Sequence, residues 1–182
     1  MKDLQKYFLA IVPPQPFFDQ VESLKEMIRQ DFGSKYALKS PAHVTLKMPF
    51  SFSLKNEEKL KNKLEMFLAN QKQFEIRIHH VDSFGKRVIF LKVEAPESLP
   101  HLQMDLKMYC QRELHLMPEL SDRNYYPHMT VAFKDLKPSS FDGVFSLVRE
   151  QKLNFRFSVE EVSLLKKVEG RWLKNHDFIL LK

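Results

Sequence analysis

A chain of 182 residues that is 43% hydrophobic and 29% charged can bury a sizeable core, which excludes the disordered and fibrous classes. The net charge of +6 favours anionic partners without demonstrating nucleic-acid binding, and one cysteine, Cys110, excludes an internal disulfide framework. No apolar run approaches the length of a membrane span and Met1 to Lys6 is polar, so a cytoplasmic protein with no membrane partner is expected.

Lys6 to Val12 is a near-continuous apolar run stopped by Pro13-Pro14, which predicts a buried strand. Pro16 to Phe32 predicts a helix, with Phe17, Val21, Leu24, Ile28 and Phe32 on one side and Gly33 as its stop. A short strand around His43 follows, ended by Pro49. Asn56 is expected to cap a helix that runs to about Asn70, with Leu60, Leu64, Phe67 and Leu68 inward. Phe74 to Val81 alternates as a half-buried strand, and Ser83 to Lys86 turns it into a hairpin partner at Val88 to Glu94. A helix over Ser98 to Leu114 and a loop marked by Pro118 lead to a strand around His128. A short helix over Ser139 to Gln151 precedes two strands, Phe155 to Lys167 and Arg171 to Leu181, joined across Val168-Glu169-Gly170. Hairpins among helices, with only four glycines and no glycine-rich phosphate loop, predict an α+β fold with antiparallel sheets. The sixteen phenylalanines recur at spacings that suit core packing rather than base stacking.

The chemical signal lies in the threonines. There are two, Thr45 and Thr130, and each follows a histidine by two residues, in His43-Val44-Thr45-Leu46 and His128-Met129-Thr130-Val131. Seven histidines in 182 residues make that coincidence a chance of roughly 0.0015. Both motifs sit just after a proline and open an apolar run. In a strand the histidine and threonine share one face, so two such strands side by side bring two imidazoles and two hydroxyls to one surface. Imidazoles exchange protons near neutral pH and hydroxyls bind anions, a set suited to acid-base chemistry on a phosphodiester without a metal.

Paired His-x-Thr-x motifs half a chain apart resemble the two-histidine phosphoesterase superfamily, which includes bacterial 2′-5′ RNA ligases and cyclic nucleotide phosphodiesterases. The resemblance implies one two-lobed, pseudo-symmetric domain over residues 1–182, with antiparallel sheets facing across a central groove and helices outside. It also implies His43 and His128 as acid and base, Thr45 and Thr130 on the phosphate oxygens, and neither metal nor cofactor. The partner it implies is RNA or a nucleotide bearing a 2′,3′-cyclic phosphate or a 2′-5′ linkage, bound by a monomer. A competing expectation is an RNA-end or nucleotide binding module of the same fold that does not turn over.

Five further residues are candidates for substrate binding. Lys47 falls on the His43 and Thr45 face by the two-residue count. Arg123 and Tyr126, with Tyr125, lie just before His128, where a guanidinium and phenols can meet ribose or phosphate. Lys86 and Arg87 either meet a phosphate or form the polar tip of a hairpin. His79 and His80 are neighbours in a strand, are expected on opposite faces and so do not chelate one ion; His101, His115 and His176 read as surface residues. Cys110 lies in a helical pattern and reads as a packed thiol, with no histidine placed beside it for acyl chemistry.

Overall fold

Among the residues described by the computed structural model, 3–117, 119, 122 and 124–182, eight strands and four longer helices alternate along the chain. In order they are β1 (Leu4–Ile11), α1 (Phe17–Phe32), β2 (Val44–Ser53), α2 (Glu57–Leu68), β3 (Phe74–Phe84), β4 (Val88–Glu94) and α3 (Ser98–Leu114). There follow β5 (His128–Phe133), α4 (Phe141–Glu150), β6 (Asn154–Val159), β7 (Glu161–Val168) and β8 (Arg171–Ile179). Pro118, the expected loop marker, lies outside the described residues. No helix described is long and apolar enough to cross a membrane.

The strands form two four-stranded antiparallel sheets, in the orders β2-β1-β7-β8 and β5-β4-β3-β6. Each sheet thus has a motif strand at one edge, paired with the strand that precedes it across a helix. This is the expected α+β, pseudo-symmetric, two-lobed arrangement. The helices cross over between the lobes: α1 and α4 pack on β5 and β3 of the second sheet, whereas α2 and α3 pack on β8 and β2 of the first. Phe17 of α1 stacks on Phe155 of β6 at 4.6 Å, and Phe67 of α2 stacks on Tyr109 of α3 at 4.8 Å. One core runs through both lobes, from Leu9, Val44 and Leu164 to Ile78, Leu91 and Phe157. Burying side chains of this size contributes on the order of 1.5–3 kcal/mol each, so the sheets are bound to each other by the same core that forms them.

Four boundaries differ from expectation. Phe155 to Lys167 is two strands broken at Glu160, where the chain leaves the second sheet and enters the first. β2 runs through Pro49, which is tolerated because β2 is an edge strand and Pro49 is exposed, so no ladder bond is lost to a neighbour. Strand β3 continues to Phe84, and the turn falls after it. Asn56 precedes α2 without a side-chain cap, since a short 3-10 turn, Leu54–Asn56, leads directly into the helix.

Candidate active site

Edge strands β2 and β5 pack against each other across the groove, and both carry the same irregularity. Ala10 pairs with Thr45 but Leu9 pairs with Lys47, so Leu46 is an extra residue in β2. Phe90 pairs with Thr130 but Ile89 pairs with Ala132, so Val131 is an extra residue in β5. A bulge after each threonine ends the alternation of faces there, confining the groove-facing pair to histidine and threonine.

The histidines are fixed in the same manner. His43 Nδ1 lies 2.6 Å from the Pro41 carbonyl and His128 Nδ1 lies 2.7 Å from the Tyr126 carbonyl. A carbonyl only accepts, so each ring donates from Nδ1, and Nε2 is left with the lone pair when the ring is neutral and a second proton when it is charged. The rings are held from the side by aromatics. Phe8 lies 4.9 Å from His43, and Phe84 and Phe90 each lie 5.1 Å from His128.

Buried polar groups concentrate on the loops that supply these carbonyls. Lys25 of α1 donates to the Ser40 carbonyl at 2.9 Å and to Glu22 at 2.6 Å, and Glu22 accepts the Ala42 N–H at 2.7 Å. Across the groove, Asp122 accepts from Lys47 at 2.5 Å, from Met48 N–H at 3.2 Å and from Glu119 N–H at 2.9 Å. Gln103 of α3 donates to the Asp122 carbonyl at 3.4 Å. Asp135, just past β5, accepts from Ser34 and from the N–H groups of Lys35 and Tyr36. Each motif is therefore entered through a loop tied to the opposite half of the chain, and hydrogen bonds of this number hold it rigid.

Electrostatics separate the two imidazoles. Burial pushes His43 down to about 4, with the Lys25 and His128 charges acting in the same direction and the Pro41 carbonyl opposing them. Burial also lowers His128, opposed by the Tyr126 carbonyl. Both neutral forms are favoured in the free protein, most strongly at His43.

A cavity of about 360 Å³ opens beside these groups, lined by Thr45, Met48, Phe84, Asn124, Tyr126 and His128, with the Tyr125 hydroxyl buried against it. That hydroxyl has no hydrogen-bond partner among the described residues. The volume of the cavity lies in the range of small-molecule pockets.

Of the residues singled out from sequence, His128, Thr45 and Tyr126 line this cavity, and His43 enters β2 beside Thr45. Arg123 lies outside the described residues. Lys47 is a correction: the Leu46 bulge turns it away from the groove, and it is 1% exposed with its charge satisfied by Asp122. Lys86 is exposed at the hairpin tip, 4.0 Å from Asp142 of α4, and neither it nor Arg87 lines the cavity. His79 and His80 are not on opposite faces. His80 is itself a bulge with φ of 47°, which brings the two Nδ1 atoms to 2.8 Å. Among the described residues no three His, Cys, Asp or Glu side chains gather to hold a metal. Cys110 is fully buried, and its thiol is pushed up to about 12 by burial.

Sequence reasoning missed Phe8, Tyr36 and Trp172. It treated the phenylalanines as core, yet Phe84 is exposed at the groove beside the expected Tyr126, and Trp172 is partly exposed beside Phe8. Their signal was position: Phe8, like the motif residues, sits on the groove face of a strand next to an edge.

The model of the 2′-5′ RNA ligase superfamily matches residues 13–171. The chain belongs to that superfamily. Among curated relatives of this superfamily member, a candidate phosphoesterase of Geobacillus kaustophilus is 28% identical, covering 96% of each chain. One of Bacillus anthracis is 27% identical over 97% of this chain and 98% of its own. Two solved structures share the superfamily chain's fold. One, from Thermus thermophilus, has a TM-score of 0.67 at 17% identity, over 96% of this chain and 97% of that one. The other, E. coli LigT complexed with 3′-AMP, has a TM-score of 0.65 at 18% identity, over 98% and 99%.

Proposed function

We propose that the protein is a metal-independent phosphoesterase that acts on RNA or nucleotide 2′,3′-cyclic phosphates or 2′-5′ phosphodiester bonds through His43 and His128. The observation that carries this reading is the matched pair of Nδ1 contacts, to Pro41 and to Tyr126, which leave both Nε2 atoms without a hydrogen-bond partner among the described residues, at the entrances of two edge strands that pack on each other. One tautomer serves both roles: a neutral Nε2 takes a proton and a charged Nε2 gives one.

For a 2′,3′-cyclic phosphate the step balances as the addition of one water. The water oxygen bonds to phosphorus while His43 Nε2 takes its proton. The bond from phosphorus to O3′ breaks, and His128 Nε2 delivers a proton to that oxygen, leaving a 2′-phosphate. His43 is assigned as base because burial and the Lys25 ammonium keep it neutral, and His128 as acid because no lysine ammonium acts on it. Thr45 and Thr130 donate to the non-bridging oxygens, where charge accumulates in the transition state. The cavity walled by Phe84, Tyr126 and Met48 takes the nucleoside, and the buried Tyr125 hydroxyl is available to it.

The test is turnover of a 2′,3′-cyclic nucleotide in excess EDTA by wild type, His43→Ala, His128→Ala and the double variant. Each single replacement is expected to cost on the order of 10²–10⁴ in kcat/KM, and the double one much less than the product. Near-wild-type activity in either single variant, or loss of wild-type turnover in chelator restored by a divalent metal, overturns the assignment.

A further inference from the structure

On the His43 side of the groove, away from the cavity at His128, four basic or phenolic groups from both lobes converge. Tyr36, in the 3-10 turn that precedes β2, stands edge-on against Phe133 at the end of β5, with ring centroids 5.1 Å apart. Lys134 donates to the Tyr36 hydroxyl at 3.0 Å, and its Nζ lies 4.5 Å from the ring centroid. Lys39 Nζ lies 4.7 Å from the same ring. Lys167 of β7, in the first sheet, has its Nζ 5.8 Å from the Trp172 centroid. The Lys134 hydrogen bond lowers the Tyr36 phenol against the opposing effect of burial, and the charges of Lys134, Lys39 and Lys167 add to it. Two ammonium groups face the Tyr36 ring and a third faces Trp172, and together they make a local positive potential that favours an anion.

Nothing within the described residues relieves it. None of Lys39, Lys134 and Lys167 lies within ion-pair distance of a carboxylate there. The carboxylate beside Lys134, Asp135, is occupied by Ser34 and the Lys35 and Tyr36 N–H groups. Lys134 adopts φ of 61°, a conformation that costs a non-glycine residue of order 1 kcal/mol and that recurs at binding sites.

The cluster connects to the catalytic centre through rings. Lys167 Nζ lies 5.8 Å from the Trp172 centroid, Trp172 stands edge-on to Phe8 at 4.8 Å, and Phe8 lies 4.9 Å from His43. Ammonium groups alternating with aromatic faces along a groove suit a single-stranded polynucleotide, whose phosphates and bases alternate in the same way.

We propose that Tyr36, Lys39, Lys134 and Lys167 form a subsite for a phosphate beyond the terminal nucleoside of the substrate, carried by an oligonucleotide end and lacking in a cyclic mononucleotide, with Trp172 beneath the penultimate nucleoside. This rests on the phosphoesterase reading and narrows it from nucleotides in general to RNA ends. A phosphate fits better than a carboxylate because its several oxygens can engage ammonium groups from both lobes at once.

The experiment compares a 2′,3′-cyclic mononucleotide with a 5′-phosphorylated dinucleotide ending in a 2′,3′-cyclic phosphate, for wild type and Lys134→Gln/Lys167→Gln. Two charge-assisted contacts predict a wild-type kcat/KM at least about tenfold higher on the dinucleotide, through KM, and a collapse of that ratio toward one in the variant. Equal kcat/KM on both substrates in wild type, or a variant that keeps the wild-type ratio, overturns the subsite while leaving the phosphoesterase reading in place. If wild type turns over neither substrate, calorimetric binding of the 2′-phosphate forms of both ligands decides the subsite separately from the reaction. Tighter binding of the dinucleotide that the variant loses supports it, and equal binding overturns it. Lys134→Arg/Lys167→Arg, which keeps both charges, is expected to keep the wild-type ratio, and a loss there equal to that of the glutamine variant overturns the charge-based subsite.

Discussion

Lys47 Nζ lies 2.5 Å from Asp122 Oδ2, with both side chains 1% exposed and the two residues 75 positions apart in the chain. The pair joins strand β2 to the loop that leads into β5, so its integrity bears on both histidines. Breaking a buried pair strands a charge and costs about 3–5 kcal/mol. Lys47→Met and Asp122→Ala are each expected to lower stability by that order in urea denaturation. Lys47→Met/Asp122→Asn is expected to recover most of it, because no charge is stranded and the amide oxygen still accepts the Met48 or Glu119 N–H.

Stability should also carry the imprint of His43. Its folded value, about 4, lies below the ordinary 6.5, so the unfolded chain binds a proton that the folded one does not between those limits. Stability is therefore full above pH 6.5 and falls as the pH drops through the window to 4. The shift corresponds to a ceiling of about 3 kcal/mol, reduced because the ring remains partly exposed. His128 acts in the same direction. Burial pushes Glu57 up, but hydrogen bonds led by that from Lys166 prevail and hold it at about 2, so its contribution is lost only below the ordinary carboxylate value. Urea denaturation of wild type and His43→Gln from about pH 5 to 7 checks this, the variant showing the shallower slope.

The motif residues could be read from sequence because threonine is so rare in this chain that its spacing to histidine carries weight by itself. Groove-facing strands followed from the same two-residue period. What that period could not reveal was a one-residue insertion. The bulge at Leu46 sends Lys47 into the core, and the bulge at His80 puts two neighbouring rings together, and neither leaves a mark that counting detects. The break at Glu160 does leave a mark: Phe155 to Val159 alternates, whereas Val162 to Leu165 is buried throughout. That change of period is the passage from a half-buried edge to a strand covered on both faces. The parts played by Asp122, Gln103 and Asp135 depend on contacts between distant segments, and the meeting of Tyr36 with Lys134 depends on helices that cross between lobes. No local pattern encodes those.

The threonine hydroxyls and the imidazoles should separate in kinetics. Thr45→Val and Thr130→Val remove a donor to the phosphate oxygens but no titrating group, so kcat on a cyclic-phosphate substrate is expected to fall about 10–10³-fold. The pH limits of kcat/KM should remain where wild type has them. A valine variant that loses one limb of the profile would show that its threonine acts on proton transfer instead.

The last prediction concerns Lys25, whose ammonium is buried in α1 beside the loop that carries His43. In free enzyme the base must be neutral and the acid charged, so kcat/KM should rise through the His43 value near 4 and decline through the His128 value below 6.5. The optimum on a cyclic-phosphate substrate therefore lies below neutrality. Burial is the main cause of the low His43 value and the Lys25 charge adds to it; Lys25→Met removes that charge while leaving Glu22 nearby, so His43 becomes easier to protonate. The acid limb should move to higher pH, and the alkaline limb, which belongs to His128, should stay in place. A purely structural role for Lys25 would lower the whole profile without moving either limb. The measurement is kcat/KM from about pH 4 to 8 for wild type, Lys25→Met and Lys25→Arg, the arginine variant keeping the charge and hence the wild-type acid limb. If the methionine variant leaves the acid limb unmoved, that limb does not belong to His43, and the assignment of His43 as base is wrong.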